Sequence, residues 1–277
     1  MRRIKKFTVF LLLLCLLLNL AGCAAAQKPL RVTLVLKTVT EVAEFWGTLL
    51  SGVEKAAEEY GVELKVLTSP REIDIDKQIE LIRQVTADKP DVMILSAADY
   101  DRCAEATEEA IAAGIGVVAI DTDVNAAGRA CFVGSNSYEI GLEMGRAMAS
   151  YLTAGGKVAV THHMLTTTTG IERTRGVLDA LNEAGNIEIL GSFCCDNSTE
   201  QAQTITTELL SADPEIRGFV CTNEVCNVGA ANALVELGMG GRVYVVGCDN
   251  SQRQIQFLEQ NIIQAIVTQR PFNMGYM

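Results

Sequence analysis

The stretch Arg242–Gly275 reads RVYVVGCDNSQRQIQFLEQNIIQAIVTQRPFNMG, and it decides the fold of the chain. Residues 243–246 are a β-branched and aromatic run with glycines nearby on both sides, which is typical of a strand buried on both faces of a parallel sheet. An amphipathic helix follows, and residues 262–267 are predicted to form a second strand. Because ligands collect outside the carboxyl ends of parallel strands, Asp249 and Gln269 are predicted to hold a small polar molecule.

This segment also resembles a known family. The residues VVGCDN (245–250) and IQAIVTQRPFNMG (263–275) are similar to the C-terminal signature of bacterial sugar-binding proteins of the ribose-binding type, which feed ABC importers. The resemblance covers the whole chain after its leader, and the same core occurs in repressors resembling the lac repressor. It implies an α/β fold with two doubly wound parallel-sheet lobes joined by a hinge, the type I periplasmic binding protein architecture.

The first 23 residues are typical of an export signal. Basic residues at 2–6 precede an apolar run over residues 7–20, which is short for a membrane-spanning helix. Residues 20–23 (LAGC) resemble the lipobox of bacterial lipoproteins, in which the cysteine is acylated. The resemblance implies a signal peptide at 1–22, a lipid on Cys23, a tether at 23–29, and anchoring on the outer side of the cytoplasmic membrane.

The charge of the mature chain argues against nucleic-acid binding. Four of the 23 Lys and Arg residues lie in the leader, which leaves 19 bases against 34 acids and a net charge of −15. DNA affinity rests largely on cations that meet phosphates, so no DNA-binding role is expected.

Strand and helix patterns alternate from Leu30 onward, which predicts βαβ units and parallel sheets. The pattern restarts around residues 131–136. By resemblance, the N-terminal lobe spans 30–135 and is completed by 270–277, while the C-terminal lobe spans 136–269. The family continues beyond Met277 with a further helix and crossing, so the chain is expected to be truncated.

The adjacent aromatic residues Phe45 and Trp46 begin the first predicted helix. Phe45 fits its buried stripe, and Trp46 is predicted to lean toward the loop, where an aromatic face suits the C–H face of a sugar. The alternative is that both residues only pack in the core. The resemblance places the stacking pair of the family on these residues, although Ala43 stands where a polar residue is common.

Several polar residues end predicted strands of the N-terminal half. Asp121 follows one strand, where it either caps a turn or, as the resemblance implies, accepts hydrogen bonds from sugar hydroxyls. Ser96 and Ser135 match ligand-binding positions less specifically. Asp99 is interpreted as a helix cap. Thr122 stands where ribose binders carry an arginine, which argues against ribose itself.

The C-terminal half supplies further donors and acceptors. From the residues alone, Arg173 fits a solvated helix face, but the resemblance selects it as the donor to ligand hydroxyls, with Arg175 in solvent. Asn223 ends a strand and offers both donor and acceptor. Asn197 stands where the family often has an aromatic residue. Together, Asp121, Arg173, Asn223, Asp249 and Gln269 would satisfy the hydroxyls of an uncharged sugar.

Seven cysteines remain after Cys15 and Cys23, an odd number for an exported chain. Their apolar contexts favour packing as small core residues, with a Cys103–Cys131 or a vicinal Cys194–Cys195 bridge as alternatives. None has the paired spacing of a zinc site.

No enzyme motif is present. His162 and His163 are adjacent on a strand and diverge, so no metal site is expected, and the glycine pairs precede strands instead of following them as a dinucleotide site requires. The sequence predicts a monomeric, cofactor-free lipoprotein that captures a monosaccharide or related polyol by hinge closure for an ABC permease. The alternatives are a sugar-sensing lipoprotein that signals to a membrane kinase, a Rossmann-type enzyme, and a receptor for a nucleoside or furanosyl signal.

Overall fold

The computed structural model describes residues 28–38 and 44–277. The predicted signal peptide, the lipid-bearing Cys23 and Ala43 lie outside the described residues. Within the described ranges, no helix is long and apolar enough to cross a membrane. Residues 31–277 form one compact unit.

Strands and helices alternate as the sequence predicts, except that no helix separates the fourth strand from the fifth. The strands are β1 (Arg31–Leu36), β2 (Glu63–Thr68), β3 (Val92–Leu95), β4 (Gly116–Ile120), β5 (Cys131–Val133), β6 (Gly156–His162), β7 (Ile187–Cys194), β8 (Ile216–Cys221), β9 (Tyr244–Cys248) and β10 (Ala265–Val267). The helices are α1 (Glu44–Tyr60), α2 (Ile75–Asp88), α3 (Ala104–Ala112), α4 (Ser137–Tyr151), α5 (Thr168–Ala184), α6 (Thr199–Ala212), α7 (Glu224–Glu236), α8 (Gln252–Glu259) and α9 (Pro271–Tyr276).

The strands form two five-stranded sheets that have the same topology. The first has the order β2-β1-β3-β4-β5 and the second the order β7-β6-β8-β9-β10, and every pairing within each sheet is parallel. The predicted fold of two doubly wound parallel-sheet lobes is therefore confirmed. The residue boundaries of the lobes stay a prediction.

Each sheet is covered by a hydrophobic core on both faces. In β1, Val35 packs into one core, whereas Leu34 and Leu36 pack into the other, as the alternation of side chains along a strand requires. In β9, Val245 and Val246 divide between the two cores of the second sheet in the same way. All five side chains are fully buried, which explains why these strand sequences are largely apolar.

Three local predictions differ from the structure. β5 was not predicted, because this edge strand has only three residues and is largely exposed. Asp99 does not cap α3: its carboxylate accepts the N–H groups of Asp101 and Arg102 and forms a turn before the helix begins. Of the aromatic pair, Trp46 is the buried residue, at 5% exposure, and Phe45 is half-buried, since Trp46 shares the helix face of Leu49.

Candidate functional site

A polar cavity lies between the two sheets at the carboxyl ends of their strands. Its empty space is about 420 Å³, including the part open to solvent. It is lined by Lys37, Phe45, Trp46, Glu72, Asp121, His163, Thr169, Arg173, Asn197, Asn223, Glu224, Val225, Asp249 and Gln269. Both sheets contribute, because their strands end at this cleft, as expected for a doubly wound fold.

The structure brings seven of the nine predicted ligand-binding residues to this cavity: Phe45, Trp46, Asp121, Arg173, Asn223, Asp249 and Gln269. Ser96 and Ser135 do not line it. The Ser96 hydroxyl is buried 3.1 Å from the Thr122 hydroxyl, and Thr122 is fully buried as well. Ser135 lines separate surface pockets beside Phe132.

Asp249 is held by hydrogen bonds to both of its carboxylate oxygens. Gln269 donates its amide Nε2 to Oδ1 at 2.8 Å, and the backbone N–H of Glu224 donates to Oδ2 at 3.2 Å. The Asp249 side chain is therefore fixed in direction by a residue that follows β10 and by the start of α7. Because the carboxylate is already fixed in direction, it can accept a hydrogen bond from a ligand hydroxyl without a further loss of side-chain conformational entropy.

Arg173 is buried, with 3% exposure, although it lies on helix α5. Its Nη1 donates to the carbonyl of Thr222 at 3.0 Å, and its Nε has no partner among the described residues. Helix α4 approaches the Arg173 backbone so closely that a Cβ on Gly141 would lie 2.2 Å from the Arg173 carbonyl oxygen. The guanidinium thus lines the cavity with unused hydrogen-bonding capacity, and the helix that carries it packs closely against α4.

Asn223 begins a hydrogen-bonded chain that crosses the cleft. It caps α7, since its Oδ1 accepts the N–H of Cys226 at 3.0 Å, and its Nδ2 donates to Asn197 Oδ1 at 3.0 Å. Asn197 in turn donates to Glu72 Oε2 at 2.9 Å. Glu72 follows β2 of the first sheet, whereas Asn197 follows β7 of the second, so this chain connects the two halves.

Lys37 and Glu72 form an ion pair that the sequence analysis missed. The Lys37 Nζ lies 2.8 Å from Glu72 Oε1 and 3.6 Å from Asp121 Oδ2, and the side chains of the pair are 4% and 3% exposed. Lys37 directly follows β1, so the strand-end rule that selected Asp121 also points to it. Glu72 lies in an irregular loop, where no sequence pattern indicates its direction.

His163 also lines the cavity, although the sequence analysis considered it only as a metal ligand. Its Nε2 lies 3.0 Å from the Thr167 hydroxyl and 3.8 Å from Glu72 Oε1. Burial, together with the charges of Lys37 and Arg173, holds the pKa of His163 well below its ordinary value. The imidazole is therefore neutral at pH 7 and can donate or accept hydrogen bonds. The described residues contain no cluster suited to a metal ion.

Two carboxyl groups of the cavity have raised pKa values. Burial raises the pKa of Asp121 against the opposing charges of Lys37 and Arg173. Burial and the charge of Asp249 raise the pKa of Glu224 to about 7, and the Glu224 Oε2 has no hydrogen-bond partner within the described part of the chain. The strand-end pattern points to Asn223 and not to Glu224, which lies one residue farther along the chain.

Comparison with known proteins agrees with this arrangement. The family model of the periplasmic binding protein domain matches residues 33–277. The D-allose-binding periplasmic protein of Escherichia coli is 26% identical over 94% of this chain and 84% of its own length. The D-ribose/D-allose-binding protein of Pseudomonas aeruginosa is 26% identical over 88% of this chain and 77% of its own length.

Solved structures of similar proteins have the same fold. The crystal structure of a sugar transporter from Clostridium phytofermentans superposes with a TM-score of 0.82 and 29% identity, covering 88% of both chains. These relatives are described as binding or transport proteins, which confirms the prediction that the chain is not an enzyme. The chain belongs to the periplasmic binding protein family, and its resemblance to the sugar-binding proteins of the ribose-binding type is confirmed.

Proposed function

We propose that the chain captures an uncharged monosaccharide or related polyol in this cavity and delivers it to an ABC importer. The observation that carries the proposal is unused hydrogen-bonding capacity on buried side chains that face one space. Arg173 Nε, His163 Nδ1 and Glu224 Oε2 are buried without partners among the described residues. Buried polar groups rarely lack a hydrogen-bond partner, and a polyhydroxyl ligand would supply one to each of them.

The charges of the lining favour a neutral ligand. The cations Lys37 and Arg173 face several carboxyl groups, those of Glu72, Asp121, Glu224 and Asp249. A phosphate or carboxylate would enter an environment already rich in acids and would be repelled. Aldose hydroxyls both donate and accept, so they fit a mixture of carboxylate, amide and guanidinium groups.

The aromatic ring of Phe45 supports a sugar more than a smaller polar solute. Phe45 is half-buried, lines the cavity and packs edge-on against Trp46 with ring centroids 5.1 Å apart. This contact fixes the ring, whose face can cover the apolar C–H side of a pyranose or furanose.

Ligand capture would use hinge closure. Lining residues come from both halves, and the Glu72–Asn197 hydrogen bond already connects them. A ligand that contacts both halves favours the closed form by its differential affinity. The permease would then recognise the closed monomer.

The cellular setting follows from the N-terminal sequence. The leader and the LAGC motif support an extracytoplasmic lipoprotein anchored through Cys23, as the sequence analysis predicts. Palmitate labelling of the full chain, with Cys23→Ala as the unlabelled control, tests this anchor.

Calorimetric titration of the full chain with D-allose, D-ribose and D-glucose tests the binding function. We expect one sugar to bind at micromolar Kd or tighter, and Arg173→Met to weaken it about 10-fold or more, because Arg173 donates charge-assisted hydrogen bonds. Arg175→Met is the matched control, since Arg175 is exposed on the same helix. Equal loss in both variants, or no binding of any neutral sugar, would overturn the proposal.

A further inference from the structure

Two buried thiols meet directly behind the cavity wall. The Sγ atoms of Cys195 and Cys226 lie 3.2 Å apart, and both residues are fully buried. Cys195 follows β7, and Cys226 lies in the first turn of α7, 31 positions along the chain. Neither bridge considered from the sequence is present: all seven cysteines from Cys103 to Cys248 are free thiols.

The backbone on each side of the pair is fixed. The N–H of Cys195 donates to the carbonyl of His162 at 2.9 Å, and its carbonyl accepts the N–H of Ser198 at 2.8 Å. On the other side, the N–H of Cys226 donates to the Asn223 side chain at 3.0 Å. A disulfide bond is about 2.05 Å long, so the sulfur atoms need to approach by only about 1 Å, which small side-chain rotations can supply.

The two sulfur atoms differ in acidity. The contact with the Cys226 thiol lowers the pKa of Cys195, and the backbone N–H groups of Ser198 and Asn197 add to this effect. Burial, together with the same thiol–thiol contact, raises the pKa of Cys226 well above its ordinary value. Cys195 is therefore the better nucleophile of the pair, because the thiolate is the reactive form.

We propose that Cys195 and Cys226 form a disulfide bond that ties the loop carrying Asn197 to the start of the helix that follows Asn223. The bond would hold the Asn197–Asn223 wall of the cavity in its ligand-ready arrangement. The inference rests on the extracytoplasmic setting of the proposed function, since disulfides persist in oxidising compartments.

The oxidant is a disulfide, either a small one or that of a thiol oxidoreductase. The Cys195 thiolate attacks one of its sulfur atoms, forms a mixed disulfide and releases one thiol. Cys226 then loses its proton and attacks the Cys195 sulfur, which releases the second thiol. Two protein thiols are oxidised and one disulfide is reduced to two thiols. Because the pair is buried, this exchange takes place late in folding, when the two thiols already lie in contact and the oxidant can still reach Cys195.

Direct mapping of the thiols tests the bond without any sugar. The full chain is refolded with oxidised glutathione, denatured, alkylated with N-ethylmaleimide and sequenced by tandem mass spectrometry without reduction. We expect a Cys195–Cys226 cross-link and alkylation of the other five cysteines from Cys103 onward. Cys194→Ser and Cys221→Ser should keep the cross-link, and Cys226→Ala should lose it. Alkylation of all seven residues, or a cross-link involving Cys194, would overturn the proposal.

A thermal measurement checks the structural consequence. Reduction should lower the Tm of the oxidised wild type by roughly 5–10 °C, because the bond closes a loop of about 30 residues. The Tm of Cys226→Ala should not respond to the reductant. An equal response of both proteins would contradict a stabilising role for this bond. Failure of the chain to bind sugar would leave the mapping result unchanged, so the two proposals fail separately.

Discussion

Asp121 and Asp249 hold the same position in the two halves of the molecule. Each directly follows the fourth strand of its sheet, and each has a left-handed backbone, with φ of 61° and 75°. The N–H of Asp121 donates to the carbonyl of Val133 at 3.0 Å, and that of Asp249 to Val267 at 2.9 Å. Both carboxylates line the cavity. Such strained positions are concentrated at functional sites, because the surrounding structure must enforce them.

The paired aspartates predict matched losses of sugar affinity. We expect Asp121→Asn and Asp249→Asn each to raise the Kd about 10- to 100-fold, because a charge-assisted hydrogen bond becomes a neutral one. Asparagine keeps the side-chain shape and tolerates the left-handed backbone, so the fold should be preserved. Titration calorimetry with the tightest-binding sugar measures the change.

Asp179→Asn is the control for this pair, since it removes one negative charge from an exposed position on α5. Its Kd should equal that of the wild type. Unchanged affinity in both cavity variants would show that the carboxylates do not contact the ligand.

The buried pair of Lys37 and Glu72 predicts a large loss of stability when only one partner is removed. Lys37→Met leaves the Glu72 carboxylate buried beside Asp121 without its cation, and we expect the free energy of unfolding to fall by about 3–5 kcal/mol. Urea unfolding followed by circular dichroism measures this change.

The double variant Lys37→Met/Glu72→Gln separates the charge effect from lost packing. It should be more stable than Lys37→Met alone, because the Glu72 carboxylate is no longer buried without its cation. A double variant that loses the sum of the two single losses would show that the two side chains act independently.

The strand-end rule predicted much of the site, because buried parallel strands are recognisable by composition and their carboxyl ends converge. That rule selected Asp121, Asn223, Asp249 and Gln269, which the structure brings to one cavity. It also selected Ser96, whose short side chain instead stays within the sheet layer beside Thr122. A rule based on position along a strand carries no information about how far a side chain reaches.

The remaining residues depend on tertiary packing. Glu72 lies in a loop and is directed by Lys37 and Asn197, which are 35 and 125 positions away in the chain. The sequence predicts Trp46 toward the loop, because helical spacing alone allows either aromatic residue to be the buried one. Trp46 is the buried residue because α1 packs against β1 and α9, and this contact exists only in the folded molecule.

The raised pKa of Glu224 predicts that the stability of the protein depends on pH. Its pKa is raised by burial and by Asp249 to about 7 in the folded protein, against an ordinary value of 4.5. Between these values the folded protein retains a proton that the unfolded chain has released, so stability falls as the pH rises through this window. Across this pH window, we expect the free energy of unfolding of the wild type to fall by on the order of 2 kcal/mol more than that of Glu224→Gln. Urea unfolding at several pH values measures the difference.

Other groups titrate in the same range, so the comparison must be between variants. The lowered pKa of His163 acts in the opposite sense, since its folded form binds fewer protons than the unfolded chain. This contribution is common to both proteins and cancels in their difference. Glu236→Gln, an exposed change on the same helix, should follow the wild-type profile. Identical profiles for wild type and Glu224→Gln would mean that Glu224 titrates normally.

Helices α1 and α9 pack backbone to backbone, and this contact predicts opposite effects for alanine at different glycines. A Cβ on Gly52 would lie 2.2 Å from the Phe272 carbonyl oxygen, and one on Gly275 would lie 2.0 Å from that of Leu49. Because the contacted backbone atoms can move only if the two helices shift apart, each alanine should lower the free energy of unfolding by about 1–3 kcal/mol. Gly47 lies on the same helix as Gly52 with nothing within 4 Å of an added Cβ, so Gly47→Ala should raise stability by roughly 0.5–1 kcal/mol. Urea unfolding of the three variants compares them directly, and stabilisation by Gly52→Ala would show that the helices are farther apart than this packing requires.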